Sequence, residues 1–283
     1  MSLDQNSILV NISISMWSGR KLDREVSQEV DVAKSTKTRA GNYNKNLFAG
    51  VDELEKVKQV AGRIRIWFAC QTLPWSDGGE RLLPMANFQD FKQELVRLEQ
   101  EFNDAVKVFC DRYANLISTQ AFTLGALFNR DDYPTADRIA SKFELRYTFS
   151  PVPDVGDWRV VSDAAVRQEL YQHYRKAYDD RLKSASLDLW ERLHECLKHM
   201  ADRLTDVEEG KRKVIRESML ANALELCALL TKLNVVNDPY LEATRKSLGS
   251  LLVGVTTEDL RNSAPARKEL KVEVDAILKR FDF

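Results

Sequence analysis

The sequence predicts a mainly α fold, in which long antiparallel helices pack in a coiled-coil-like manner beside a small antiparallel β-sheet. Two long stretches, 51–72 and 87–117, carry apolar side chains at spacings of three and four, the period of a helix with one buried face. A third stretch, 163–205, contains neither Pro nor Gly. Residues 7–17 instead alternate apolar and polar side chains, which is typical of a half-buried strand.

The first fifty residues are predicted to form this strand and then an exposed basic loop. Five apolar side chains of the strand point to one face, namely Ile8, Val10, Ile12, Ile14 and Met16. Residues 34–46 have no apolar period and contain no acidic residue. A stretch of this kind is typical of a solvated loop.

The next segment is predicted to contain two helices joined by a turn. The helix over 51–72 ends before Pro74, and Pro74 and Pro84 bracket an Asp-Gly-Gly turn. The second helix carries an apolar seam from Phe88 to Phe109 over three heptads, which indicates packing against another helix. That partner can belong to the same chain or to a second copy, so a homo-oligomer stays open.

The rest of the chain is predicted to complete the sheet and to form a helical bundle. Residues 144–149 and 158–161 are expected to pair with residues 7–17, and helices are expected over 163–205, 214–233, 239–252 and 264–281. The expected organisation is an N-terminal strand and basic arm over 1–50 and a helical hairpin with the sheet over 51–161. A long helix and a C-terminal helical bundle follow over 162–283, and all three ranges can form one continuous domain.

The charge balance excludes a globally basic nucleic-acid-binding protein. Lys and Arg number 42 against 43 Asp and Glu, so the formal net charge is −1.

No apolar run approaches the roughly 18 residues of a membrane-spanning helix, and the N-terminus lacks the basic segment of a secretory signal. The four cysteines are widely spaced, which favours buried thiols in a reducing cytoplasm over disulfides.

Motifs for catalysis and cofactor binding are missing from the sequence. Neither a Walker A loop, nor a GxGxxG fingerprint, nor a GxSxG elbow occurs. His194 and His199 are five residues apart, whereas a zinc-protease helix needs histidines at i and i+4. We therefore expect no cofactor and no metal, and the loop acids Asp131, Asp132, Asp154 and Asp157 are interpreted mainly as turn-forming and capping residues.

Residues 20–45, the basic arm, are the main candidate binding segment. The arm has seven basic and four acidic residues, and a flexible basic segment with an aromatic ring suits a phosphate backbone or a single strand. The competing interpretation is a merely solvated loop. The candidate nucleic-acid or partner-binding residues are Arg20, Lys21, Lys34, Lys37, Arg39, Tyr43 and Lys45.

Three tryptophans beside predicted turns are candidate contacts for a protein partner. These are Trp17, Trp75 and Trp158. An exposed ring at a turn is a typical interface hot spot. The competing interpretation is packing that holds loops against helices.

Four stretches occur in an order that resembles a known family. They are Ser15–Asp23 (SMWSGRKLD), Thr72–Pro84 (TLPWSDGGERLLP), Leu127–Pro134 (LFNRDDYP) and Gly156–Arg159 (GDWR). Across most of residues 8–250 the chain resembles an uncharacterised family of tailed-phage proteins. Genes of that family lie near those of MoxR-type AAA+ ATPases, von Willebrand A-domain proteins and replication or recombination proteins. The resemblance implies phage DNA metabolism or ATPase-dependent remodelling in the host cytoplasm, and it implies no catalytic residue.

These observations lead to three expectations about function. The first is a non-enzymatic accessory or adaptor protein that works through protein contacts, with an AAA+ ATPase as partner. The alternative is a protein that binds single-stranded or duplex DNA through the basic arm. The third is a metal-dependent enzyme that uses dispersed carboxylates.

Overall fold

The computed structural model describes residues 6–153, 164–205 and 213–281, and these form the mainly α fold that the sequence predicts. Within those ranges, no helix combines the length and the apolar character needed to cross a membrane. In chain order the elements are β1 (Ser7–Ser15), β2 (Arg20–Asp23), α1 (Arg24–Ala33), β3 (Tyr43–Asn46), α2 (Asp52–Gln71), β4 (Leu73–Pro74), β5 (Arg81–Pro84), α3 (Phe88–Leu124), α4 (Ala136–Ala140), β6 (Glu144–Pro151), α5 (Ala164–Leu204), α6 (Glu217–Leu233), α7 (Pro239–Leu252), α8 (Thr257–Asn262) and α9 (Ala264–Leu278).

The chain divides into two compact units, each built from stretches that are distant in sequence. The first unit combines Met1–Asn11, Ala69–Phe91 and Thr148–Phe283. The second combines Ile12–Phe68 and Lys92–Tyr147. The domains predicted from the sequence were three contiguous ranges, because a single sequence does not show which distant stretches share a core.

The small sheet has the strand order β4-β5-β1-β6. β1 pairs antiparallel with β5, from Ser7 opposite Pro84 to Val10 opposite Arg81. The prediction that residues 74–84 form only a turn-rich connection was therefore wrong, because β4 and β5 form a short hairpin. Leu82 and Leu83 of this hairpin are fully buried, and Gly79 lies in its turn with φ +88°.

Strand β1 departs from simple alternation at its first residues. Leu9 and Val10 are 2% and 1% exposed, so both faces of the strand are covered there. Residues 144–149 belong to β6, as predicted. The third predicted strand, 158–161, lies outside the described residues.

In the second unit, α2 and α3 pack antiparallel around a shared core. Arg63 of α2 pairs with Glu101 of α3, and Glu53, ten residues earlier on α2, pairs with Arg112, eleven residues later on α3. The core of this unit contains Leu54, Val57, Val60, Ala61 and Ile64 from α2, and Leu98, Phe102, Phe109 and Tyr113 from α3. The predicted Phe88–Phe109 seam is thus buried within the chain, at least from Leu98 onward.

In the first unit, the long helix α5 shares a core with the helices that follow it. The most buried side chains along α5 are Ala185, Leu189, Leu193, Leu197 and Met200. They lie in one cluster with apolar residues of α6, α7 and α9, which agrees with the predicted C-terminal bundle. Helix α8 was not predicted, because its six residues are too few to display a helical period.

Two arginines bind a group of backbone carbonyls at residues 69–72 of the first unit. Arg192 of α5 donates to the carbonyls of Cys70, Ala69 and Thr72 at 2.6, 2.9 and 2.8 Å, and it also pairs with Asp188 at 2.7 Å. Arg81 of β5 donates to Ala69 and Thr72 as well. Because the last carbonyls of a helix have no partner inside the helix, these two side chains supply the missing donors.

We expect the replacement Arg192→Leu to destabilise the first unit. It removes several charge-assisted hydrogen bonds to these carbonyls, at a cost of about 1.5–3 kcal/mol in the free energy of unfolding. Chemical denaturation measures this change. Arg175→Leu on the exposed face of the same helix is the control, and equal losses in both variants would contradict the capping role.

Candidate functional site

The basic arm folds as a two-stranded ribbon with a helix between its strands, not as one long loop. β2 and β3 pair antiparallel, with Lys21 opposite Lys45 and Asp23 opposite Tyr43. The prediction of an exposed loop over 34–46 was therefore wrong for 43–46, which form β3, and it holds for 34–42. Four-residue strands of polar side chains carry no apolar alternation that a sequence could display.

Helix α1 begins at the ribbon because Asp23 caps it. The Asp23 carboxylate accepts the N–H of Val26 at 3.1 Å, which satisfies one of the unpaired donors of the first turn. The Ser27 hydroxyl donates to the Asp23 carbonyl and accepts the N–H of Tyr43 at 2.9 Å. A single buried serine therefore joins the helix to both strands.

The segment after α1 is held by Asp31. Its carboxylate accepts the N–H of Ala40 at 3.2 Å, and its carbonyl accepts the N–H of Thr36 at 3.0 Å. Ser35 takes a left-handed conformation with φ +52°, which turns the chain out of the helix. The side chains of Lys34, Lys37 and Arg39 all remain exposed on this anchored loop.

Lys45 is buried, and this corrects its assignment as an exposed binding residue. Its side chain is 8% exposed, and its Nζ lies 3.0 Å from Asp23 and 2.7 Å from Asp132. Nζ also donates to the Leu127 carbonyl at 3.0 Å. An ammonium group has three donors, and here three oxygens surround it, one from β2 and two from the segment that follows α3.

The contacts within this cluster shift the pKa values of Lys45 and Asp23, and both shifts favour the charged state. Burial by itself lowers the pKa of Lys45, but hydrogen bonds to Asp132 and Asp23 outweigh it, so the net pKa lies above its ordinary value. The N–H of Val26 and then the ammonium of Lys45 lower the pKa of Asp23. The cluster is therefore an ion-paired structural element at neutral pH.

The remaining six cations of the basic arm are exposed. They are Arg20, Lys21, Arg24, Lys34, Lys37 and Arg39. In the part of the chain that the structure describes, none of them forms an ion pair. Only Glu25 and Glu29 are exposed acids in the same segment, so the surface of the arm is more positive than its composition indicates.

A groove of about 740 Å³ lies beside the ribbon in the second unit. One wall comes from residues 21–25 and Lys45, and the other from residues 126–130 and Asp132. Three exposed cations, Lys21, Arg24 and Arg130, line it. The ring of Phe128 forms part of the wall and packs against Tyr133 at a centroid distance of 5.5 Å. This groove is the candidate functional site.

The tryptophans do not form the exposed contacts that the turns suggested. Trp17 is half-buried and packs edge-on against Phe48 and Tyr113, with centroid distances of 5.6 and 6.3 Å. Trp75 is 3% exposed and packs against Tyr178, with Arg181 over its ring at 5.8 Å. The packing interpretation holds for both, while Trp158 lies outside the described residues.

Sequence reasoning missed three exposed residues of this region. Arg24 lies in the basic arm but was not singled out, and Arg130 carries no signal in the sequence. Phe122 of α3 is 91% exposed, and a signal existed for it. It lies nine residues after buried Tyr113, which is roughly 180° around a helix, so it faces away from the seam.

No group of three or more His, Cys, Asp or Glu side chains is arranged to hold a metal ion among the described residues. Asp132 is paired with Lys45, Asp131 is exposed, and Asp154 and Asp157 lie outside the described residues.

Burial raises the pKa of the Cys196 thiol to about 11. Contrary to expectation, Cys70 is exposed, while Cys227 is buried.

Comparison with known proteins found no match from which a function could be inferred. No family model matches the chain, and neither a curated protein nor a solved structure matches it.

Replacing Lys45 is expected to destabilise the second unit, whereas replacing Lys21 is not. Lys45→Met leaves two shielded carboxylates without their cation, which costs about 3 kcal/mol in the free energy of unfolding. Lys21→Met is a matched control, because Lys21 lies directly opposite Lys45 on the ribbon but is exposed. Thermal and chemical denaturation measure both variants, and similar stabilities would show that the ion pairs contribute little.

Proposed function

We propose that this protein is a non-enzymatic accessory protein that binds nucleic acid through the basic arm and the groove beside it. The observation that carries the proposal is a set of six exposed cations on one folded segment, none of which forms an ion pair with a described residue. Cations that are not engaged within the protein can replace the counterions of a phosphate backbone. The resemblance to phage proteins encoded near replication genes supports the same assignment.

The position of these cations supports binding more than their number does. Lys34, Lys37 and Arg39 lie on a loop anchored by Asp31, and Lys21, Arg24 and Arg130 lie along the groove. Both sets of cations lie in the second unit, where each can contact a phosphate group. This local set of cations supports binding, although the whole protein carries a net charge of only −1.

Removing the three loop cations should weaken binding and reduce its salt dependence. For the variant Lys34→Ala/Lys37→Ala/Arg39→Ala, we expect the slope of log affinity against log salt to fall by about 2 for a single strand. Fluorescence anisotropy with an oligonucleotide measures this slope. Lys45 is left intact, because its role is structural.

The control is Lys176→Ala/Lys198→Ala/Lys268→Ala, which removes three exposed lysines of the first unit. It has the same change in net charge and should keep the wild-type slope. Equal weakening by both triple variants would indicate only a general charge effect. No binding by the wild-type protein at low salt would reject the proposal.

A second candidate function is an adaptor for a protein partner. An apolar groove of about 620 Å³ lies along α5, lined chiefly by Leu187, Trp190, His194 and Phe281. Leu187 is 60% exposed, and Trp190 is held in place because its Nε1 donates to Asp238 at 2.9 Å. Exposed apolar surface of this kind favours a protein contact. The resemblance makes a MoxR-type AAA+ ATPase the first partner to test.

If the adaptor function is correct, Leu187→Asp should weaken binding of a purified MoxR-type AAA+ ATPase by at least about tenfold, because it places a charge in an apolar contact. Leu224→Asp is the control, since Leu224 is 47% exposed on α6. Calorimetry or surface plasmon resonance measures the affinities. Equal affinity of wild type and both variants would exclude the α5 groove as the contact.

A further inference from the structure

We infer that the groove beside the basic arm selects single-stranded nucleic acid over duplex. This inference rests on the proposed function, and it names the form of nucleic acid that the site takes. Three features of the site carry it: the size of the groove, the aromatic rings at its wall and rim, and the distribution of charge within it.

The size of the groove fits one or two nucleotides. Its volume of about 740 Å³ lies within the range of about 300–1,000 Å³ that small ligands occupy. A single strand can place individual nucleotides in such a concave site. A duplex presents its backbone on a wide, convex surface and cannot enter it without unpairing.

Aromatic side chains lie where unpaired bases would be. Phe128 forms part of the wall, and Tyr43 lies on the same ribbon face as Lys21 and Lys45, because directly paired residues and residues two apart share a face. Tyr43 is 40% exposed, and no other ring packs against it among the described residues. Every base has a π-face that can stack on such a ring, whereas the faces of duplex bases are already stacked.

Phe122 is a further exposed ring close in the chain to the groove wall. It lies in the last turn of α3, four residues before Ala126 of the groove wall, so their Cα atoms are within about 14 Å of each other. Gly125, with φ +52°, turns the chain between them. A side chain that is 91% exposed makes little contribution to the core, so its ring is available for a base of a strand leaving the groove.

The lining of the groove carries four cations against three acids, and two of the acids are engaged by Lys45. Asp23 and Asp132 would repel a phosphate, but both are paired with Lys45. Lys21, Arg24 and Arg130 are exposed, and Glu25 is the remaining exposed acid of the lining. Cations near a phosphate and rings near a base are the combination found in sites for single strands.

The test compares a fluorescent oligothymidylate of about 20 nucleotides with a duplex of the same length, at low and moderate salt. For the wild-type protein we expect at least about tenfold tighter binding of the single strand. Tyr43→Ala and Phe122→Ala should each weaken single-strand binding several-fold and leave duplex binding unchanged. Tyr43→Phe, which keeps the ring, should bind like the wild type.

Tyr240→Ala is the matched control, because Tyr240 is a 77% exposed aromatic residue of the first unit. Equal, salt-dependent affinity for single strand and duplex would overturn this inference and leave the proposed function standing. Tighter binding of the duplex would also overturn it. No binding of either probe would reject the proposed function itself.

Discussion

The ammonium group of Lys45 is the contact on which the candidate site depends. It binds Asp23 at the end of β2, and it also binds the Leu127 carbonyl and Asp132 in the segment that follows α3. These contacts hold the ribbon against the opposite wall of the groove. Because separating a shielded cation from three oxygens is unfavourable, charge pairing holds the walls of the groove together, in addition to the packing of Phe128 against Tyr133.

The same contact determines which charged groups near the groove are buried and which stay exposed. Lys45 and two carboxylates are withdrawn from the surface, and the remaining cations of the basic arm stay exposed. The exposed charges of the arm are six cations and the acids Glu25 and Glu29, whereas 42 basic and 43 acidic residues nearly cancel over the whole sequence. The proposed binding of a phosphate backbone depends on these exposed cations.

The elements that the sequence predicted correctly are those with a repeated apolar period. The predictions of α2, α3 and α5 are confirmed, because each helix repeats its buried face over many turns and a long repeat leaves a clear pattern. β2, β3 and β4 are two to four residues long, which is too short for any pattern. Of the two interpretations for tryptophans beside turns, Trp17 and Trp75 show the packing one, since a large ring at a turn is as able to fill a core as to contact a partner.

By itself, the sequence determined the helical class, the long helices and the segment in which the exposed cations lie. It did so because these properties depend on residues that are close together in the chain. Only the tertiary structure decided that Lys45 is structural and that the groove exists, because Asp23, Lys45 and Asp132 are far apart in the sequence and each looks ordinary alone. The exposure of Phe122, by contrast, could be predicted from the sequence alone, because its position lies off the buried face of α3.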